Sequence, residues 1–407
     1  LSVQFDLCKL CQHKHCSIHT KMISVENFYW ILYENLLKPV NLPVKYYYPF
    51  GTTNRLVQWE YDQMTWHPYD SSAVLFHFDQ EPIYQSDDPA LIKGFKGNQF
   101  KWPRILANSE ISDIKKKACK DHVLLDWYYF YHGFAAMNWY RDSRYLKTSA
   151  PIIKKFCSLN HLVTGSRSYR MSMAARLDQR GVIDQGMISF HGDRQDCLNE
   201  LQNTNTYLTD AEKEIISAWI ERDSSPRRWI DRQDVSGDLS AHFGVHEYRM
   251  WQQSFLHVVN ESIFYHRKLH LTEKIFQPIV CLRPFVLVGA PGNLAYLKSY
   301  GFKTFDRWID ETYDLVDDDS YRMDMISAQI EKVCSQSLDQ LNDMLADMQE
   351  VLQHNQKHFF GRFREIIVDE LVDNFDKCLR LWNNGRIDRV WPRHPDLQSV
   401  KNLLCQI

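Results

Sequence analysis

The residue types that could handle a nucleoside diphosphate fall in two places. Asn260-Glu261-Ser262 precedes His270-Leu-Thr-Glu-Lys274, and Arg167 and Arg170 lie well upstream. Thr272 can cap a helix, Glu273 can accept hydrogen bonds from ribose hydroxyls, and Lys274 can rest against a diphosphate. A lysine in a first helical turn opposes the helix dipole by ~0.3–1 kcal/mol, and a bound phosphate reverses that sign; the alternative is a solvated lysine at a helix end. Arg170, beside Arg167, can clamp pyrophosphate oxygens through paired N–H bonds or form a surface salt bridge. A third place offers proton chemistry. Phe76-His-Phe-Asp-Gln-Glu-Pro82 closes a predicted strand with two carboxylates, and a strand-end acid facing a cleft can take a proton from a hydroxyl. Glu81 is the stronger choice over Asp79, the other reading being a structural acid that caps the next turn. His132 and Gly133 are candidates for lining that cleft or for ordinary core packing.

Positioning these groups requires strands followed by helices, and the chain supplies them. In the first half, the apolar runs Ala73–Phe78 and Arg104–Ala107 are each followed by a polar turn and helix-compatible residues. In the second half, a strand at Lys155–Leu159, a helix from Ser168 to Arg180 stopped by Gly181, and a return to the sheet from Ile183 form one unit. Phe255–Val259, a helix over Thr272–Cys281 and Pro284–Val288 form the next. Gly289-Ala-Pro-Gly292, Asn293–Tyr300 and Gly301 then suit a loop, a helix and its stop. This alternation predicts an α/β fold with parallel sheets covered on both faces, and such sheets bind ligands beyond the carboxyl ends of their strands. Asn203–Glu247 is polar and weakly patterned, an expected insertion. Leu338, Leu341, Leu345, Met348 and Leu352 recur at helical spacing and predict one packing helix. Lys115-Lys-Lys117 is expected on a solvated helix face. The ring-rich Asp126-Trp-Tyr-Tyr-Phe-Tyr-His132 is expected in the core, with sugar stacking as the alternative.

A chain of 407 residues exceeds what one core organises, so two domains are expected, and 44% hydrophobic with 24% charged residues is a globular composition. A net charge of −3 gives no bulk reason to bind nucleic acid or an anionic membrane. No apolar run approaches the ~20 residues of a transmembrane helix and no secretory leader is evident, so a cytoplasmic protein is expected. Seven cysteines are scattered in apolar or helical contexts that suit reduced thiols. Cys8, Cys11 and Cys16 with His19 are either a zinc set or part of a terminal tail preceding Met22.

Phe255-Leu-His-Val-Val-Asn-Glu-Ser262, Leu271-Thr-Glu-Lys-Ile-Phe276 and Arg283-Pro-Phe-Val-Leu-Val-Gly289 together resemble the donor-binding motif of family 10 glycosyltransferases, the α-1,3-fucosyltransferases. The similarity is closer to bacterial and phage relatives through Leu297–Asp314, including Gly301-Phe-Lys-Thr-Phe305 and Asp310-Glu-Thr-Tyr-Asp314. The resemblance implies a GT-B architecture, two Rossmann-like domains with a cleft between them. It also implies that Arg170 and Lys274 hold the donor diphosphate, that Glu273 holds the ribose, and that Glu261 lies near the transferred sugar. Arg167, Asn260 and Thr272 complete that donor site, and Glu81-Pro82 resembles the element near which the family places its catalytic carboxylate. The implied reaction moves a sugar from a nucleotide sugar, GDP-fucose being the family's donor, to a glycan hydroxyl with inversion, with no metal and no further cofactor. Two departures stand out: Asn260-Glu261-Ser262 replaces the family's Glu-Asn-Ser, and the gap to Thr-Glu-Lys is longer. The corresponding boundaries are a tail over 1–24, an acceptor-side domain over 25–150, a donor-binding domain over 151–385 and a helical tail over 386–407. The competing expectations are a metal-dependent GT-A enzyme using Asp317-Asp-Asp319, which equally suits a helix start, and a non-catalytic glycan- or protein-binding module on the same fold. A DNA-glucosylating enzyme shares the architecture, but the weak charge argues against a duplex substrate.

Overall fold

The computed structural model describes residues 28, 31–40, 44–46, 75–78, 103–141, 146–147, 151–223, 226, 251–384 and 396–406. Asp79, Glu81 and the Cys8, Cys11, Cys16 and His19 cluster lie outside the described residues. Within them the chain is a mixed α/β structure with two four-stranded parallel sheets. The first begins with β1 (Val44–Tyr46), β2 (Leu75–Phe78) and β3 (Arg104–Asn108). A short β4 (Ile111–Ser112) and α1 (Asp113–Asp121) lead to β5 (Leu124–Tyr128), and α2 (Tyr131–Trp139) follows. The sheet order is β1-β2-β3-β5, each strand adding beside the last.

The second sheet is wound in two directions. From β6 (Lys154–Asn160) the chain passes through α3 (Tyr169–Gln179) to β7 (Gly186–Phe190), then through α4 (Arg194–Gln202) and α5 (Asp210–Arg222). It re-enters at β8 (Ser254–Asn260) and continues through β9 (Lys268–Leu269), α6 (Phe276–Val280), β10 (Phe285–Val288) and α7 (Asn293–Ser299). The order β10-β8-β6-β7 puts β7 on one side of β6 and β8 on the other. Such a reversal leaves a crevice at the carboxyl ends of β6 and β8. Every residue of β8 and β10 is buried, as expected for parallel strands covered on both faces. Gly181 (φ +68°) follows α3, and Gly292 (φ +84°) caps α7, both in the left-handed region where a side chain is strained.

The helices α8 (Asp319–Cys334), α9 (Leu338–Asp347) and α10 (Gln349–Phe360) lead to α11 (Arg362–Asn384) and α12 (Leu397–Leu404). Although the sequence groups 362–384 with the second half, α11 packs on the first sheet. Trp127 Nε1 donates to the Leu371 carbonyl at 3.0 Å, and Asn374 Nδ2 donates to the Tyr128 carbonyl at 2.8 Å. A second seam joins the halves where β4 pairs antiparallel with β9, Ile111 opposite Leu269 and Ser112 opposite Lys268. Beside it the buried Lys268 Nζ lies 3.4 Å from Glu110 Oε1.

Three expectations are corrected. Lys115 is buried, not solvated: its Nζ donates to Asn108 Oδ1 at 3.1 Å and to the Glu110 carbonyl, and lies 3.0 Å from Asp126 Oδ2. Successive helical residues point about 100° apart, so three lysines in a row cannot share one solvated face. The expected insertion contains α5, whose Ile216 and Trp219 are buried and whose Thr209 and Glu212 form a reciprocal capping box. The expected single helix after Leu338 is two, with Met348 ending α9 and starting α10. Met348 and Leu352 are both buried, so the apolar spacing runs through the break without marking it. The aromatic stretch Trp127–Tyr131 is in the core.

Candidate functional site

The crevice of the second sheet is lined by strand ends and crossed by Arg170. Asn160 and Asn260 terminate β6 and β8, and both donate from Nδ2 to Ser158 Oγ, at 3.2 and 2.9 Å. The Oδ1 atom of each is buried without a hydrogen-bond partner among the described residues. Arg170, in the first turn of α3, reaches across: Nη1 donates to the Leu162 carbonyl at 2.8 Å, Nη2 to those of Asn260 at 3.1 Å and Glu261 at 3.4 Å, and Nε to the Tyr169 hydroxyl at 3.1 Å. It is only 4% exposed, yet none of these partners is a carboxylate. Two other buried arginines do have one, Arg176 with Asp324 and Arg322 with Asp319. The loop into α3 is held by Glu200, which accepts from Gly165 N at 3.0 Å and from Thr206 Oγ1 at 2.5 Å.

The turn after β9 brings the remaining predicted residues to the same place. Thr272 caps the 3-10 turn Glu273–Ile275, accepting from Lys274 N. Its own N–H and hydroxyl donate to Glu261, the latter at 2.6 Å, so this fully buried carboxylate ties the loop after β8 to the turn. Burial pushes the Glu261 carboxyl up, against the pull of Lys274 and Thr272. Lys274 Nζ, about one-third exposed at 31%, lies 2.9 Å from Glu273 Oε1 and 3.1 Å from Thr272 Oγ1. Burial alone would raise the Glu273 carboxyl, but Lys274 and His132 outweigh it and hold the group well below the usual range. The second Glu273 oxygen faces the other half of the molecule, 3.2 Å from His132 Nδ1. His270 stands edge-on to His132 with ring centroids 5.2 Å apart; burial and the nearby His132, Lys268 and Lys274 push it well below the ordinary histidine value, so it is neutral.

Arg170, Asn260, Glu261, Thr272, Glu273 and Lys274 thus converge, joined by His132. Arg167 does not join them: it lies half-buried on the 3-10 turn Gly165–Arg167, with no side-chain hydrogen bond among the described residues. The acidic run is committed elsewhere, Asp317 to Arg267 at 2.6 Å, Asp318 as the cap of α8 and Asp319 to Arg322. Asp314 accepts from Leu294 N and Ala295 N at the start of α7; burial pushes its carboxyl up to about 6 despite those N–H groups. Sequence reasoning missed Asn160, Ser158 and Tyr169, although a polar residue closing an apolar strand is a usable signal. Among the described residues no cluster of three His, Cys, Asp or Glu is arranged to hold a metal ion, and no helix is long and apolar enough to cross a membrane. No family model matches the chain, and neither does any curated protein or solved structure.

Proposed function

We propose that the protein is a nucleotide-sugar-dependent glycosyltransferase of the GT-B type, resembling family 10, that binds its donor diphosphate in the crevice between β6 and β8. The observation that carries this reading is Arg170, a buried cation whose partners are all neutral oxygens, at the switch point of a parallel sheet. An unpaired buried charge costs several kcal/mol, and an anion placed there removes that cost. Lys274 supplies a second positive charge to the same site, close enough that the two cations repel. Together they suit the charge that develops on a departing diphosphate. His132, just beyond the last strand of the first sheet, lies 3.2 Å from Glu273 of this site, and an acceptor glycan would enter from that side.

The test is thermal stabilisation by GDP, UDP, CMP and their sugars, followed by assay of transfer or slow hydrolysis of the sugar nucleotide that binds. A nucleotide at a hundred times its Kd adds ~2.7 kcal/mol, readily seen as a rise in Tm. Stabilisation by none of them would remove the donor site. Turnover that persists in excess EDTA is expected; loss in EDTA restored by manganese would favour metal-dependent transfer instead.

A further inference from the structure

We infer that Glu370 and three tyrosine hydroxyls form a proton-operated latch between the two halves of the molecule, tightest when the carboxyl carries a proton and looser when it ionises. The four groups come from three places in the chain. Tyr128 ends β5 of the first sheet, Tyr296 and Tyr300 lie in and just after α7 of the second half, and Glu370 lies on α11, which packs on the first sheet. The Tyr128 hydroxyl bonds to that of Tyr296 and lies 3.2 Å from that of Tyr300, and the Tyr296 and Tyr300 hydroxyls are 3.3 Å apart. The Tyr300 hydroxyl also meets both Glu370 oxygens, at 3.0 and 2.9 Å. All three tyrosines are buried, and among the described residues no cation forms an ion pair with Glu370. Lys115, the charge that faces the cluster from α1, is paired with Asp126 at 3.0 Å and stands 5.2 Å from the centre of the Tyr128 ring.

The cluster can gain or lose a proton without leaving a hydroxyl unpaired. With Glu370 ionised, Tyr300 donates to the carboxylate and the other two hydroxyls donate within the tyrosine triangle. With Glu370 protonated, its O–H donates to Tyr300, whose own hydrogen turns to Tyr128 or Tyr296. What ionisation costs is set by the surroundings, where the rings of Phe130 and Phe363 pack on Tyr300 at 5.0 and 5.8 Å. Burial raises the Glu370 carboxyl from 4.5 to about 7, against the Tyr300 hydroxyl, Lys115 of α1, Lys377 of α11 and the Phe130 N–H. Other titratable neighbours are engaged elsewhere, His358 of α10 with the Tyr300 carbonyl at 2.7 Å and Lys401 of α12 with Asp369 and Asp373. Parting α7 from α11 admits water to the carboxyl and returns it towards 4.5, so opening releases a proton. The closed seam is therefore favoured most below about pH 4.5, and that advantage is lost as pH rises through about 7. The start of α7 holds the loop that carries Lys274, since Asn293 Oδ1 accepts from His270 N and its Nδ2 donates to the Lys268 carbonyl, both at 2.9 Å. The latch thus acts on a helix that also anchors the candidate site.

The test is amide hydrogen exchange on the full chain between pH 5 and 8, corrected for the intrinsic exchange rate and followed in Leu124–Gly133, Asn293–Tyr300 and, as a control away from the seam, α9. No nucleotide is added, so the outcome is independent of the donor-site reading. In wild type, protection of the two seam segments is expected to fall by about tenfold to a hundredfold from pH 5 to 8, with a midpoint near 7, while α9 stays level. Glu370→Gln keeps a hydrogen-bonding amide beside Tyr300 but cannot ionise, and its seam should stay equally protected across the range. Tyr300→Phe removes a donor to the carboxylate and should move the wild-type midpoint to higher pH. Seam protection that does not change with pH in wild type overturns the inference, and so does a fall in Glu370→Gln as large as that in wild type. An equal fall in α9 also overturns it, because the proton would then act on the whole fold rather than on the seam. Should Glu370→Gln fail to fold, the Tyr300→Phe midpoint decides, and one that stays in place overturns the latch.

Discussion

Arg170 and Arg283 sit at opposite ends of the second sheet and use the same chemistry to different effect. Arg283 is fully buried at the amino end, where it donates to the carbonyls of Gln252, Ser254 and Leu282 and closes the space in which β8 and β10 begin. Burial lowers its guanidinium to about 10, with Cys281 opposing the shift. Arg170 holds carbonyls too, but at the end where the strand order reverses, two asparagine oxygens have no partner among the described residues and Lys274 stands close by. A buried arginine wrapped in backbone oxygen is therefore not by itself a binding site. Its place on the sheet and the second cation are what make the crevice at Arg170 the candidate.

Substitution should separate the two ends. Arg283→Met leaves several buried carbonyls without donors and should cost ~3–5 kcal/mol in urea unfolding, with no separate effect on nucleotide affinity in the protein that remains folded. Arg170→Ala and Lys274→Ala should each weaken nucleoside-diphosphate binding ten- to a hundredfold in calorimetry, each charge-assisted contact contributing ~1.5–3 kcal/mol. Lys274→Ala should also lower stability, since it leaves the buried carboxylates of Glu273 and Glu261 without their strongest opposing charge, so affinity is compared in the protein that remains folded. Equal loss of affinity in folded Arg283→Met, or unchanged affinity in both other variants, would break the comparison.

A smaller effect sharpens it from the first sheet. At that carboxyl edge Tyr128, Tyr296 and Tyr300 bond to one another, and the Tyr300 hydroxyl donates to both oxygens of Glu370, at 3.0 and 2.9 Å. Burial raises the Glu370 carboxyl to about 7 despite the Tyr300 bond and the pull of Lys115. A folded-state value above the unfolded one means that its stabilising contribution is complete below about 4.5 and is lost as pH rises through about 7. Glu370→Gln, which keeps an acceptor for Tyr300, should therefore gain ~1–3 kcal/mol on wild type between pH 5 and 8. Parallel melting curves across that range would show no divergence if the carboxyl titrates normally.

How much of this was legible depended on whether the cause was local. The strands at Phe255–Val259 and Pro284–Val288, and the helices stopped at Gly181 and begun after Gly292, follow from apolar runs and glycine punctuation. Arg170, Glu261 and Lys274 are singled out because loops beyond strand ends are where parallel sheets bind ligands, and the structure brings the three together. The contact between His132 and Glu273 has no local signature, since it depends on how two sheets face each other. Lys115 was misjudged because composition was weighed without helical phase. The destination of α11 was hidden for a related reason: its apolar face shows that it packs but not on what, and Leu371 finds Trp127 only in three dimensions. Glu81 and the cysteine-histidine cluster lie outside the described residues.

That return of α11 also sets an order for making the protein. The Trp127–Leu371 bond spans 244 residues, so at ~5–20 residues per second a ribosome needs roughly 10–50 s between the last strand of the first sheet and the helix that covers it. During that interval the face of β5 around Trp127 lacks its native cover. The first sheet therefore cannot complete its packing as it emerges and must finish together with the second. Contacts of such long range make folding slow and the uncovered intermediate prone to association. Held on the ribosome before α11 emerges, the chain should bind chaperones through the face that the finished molecule hides.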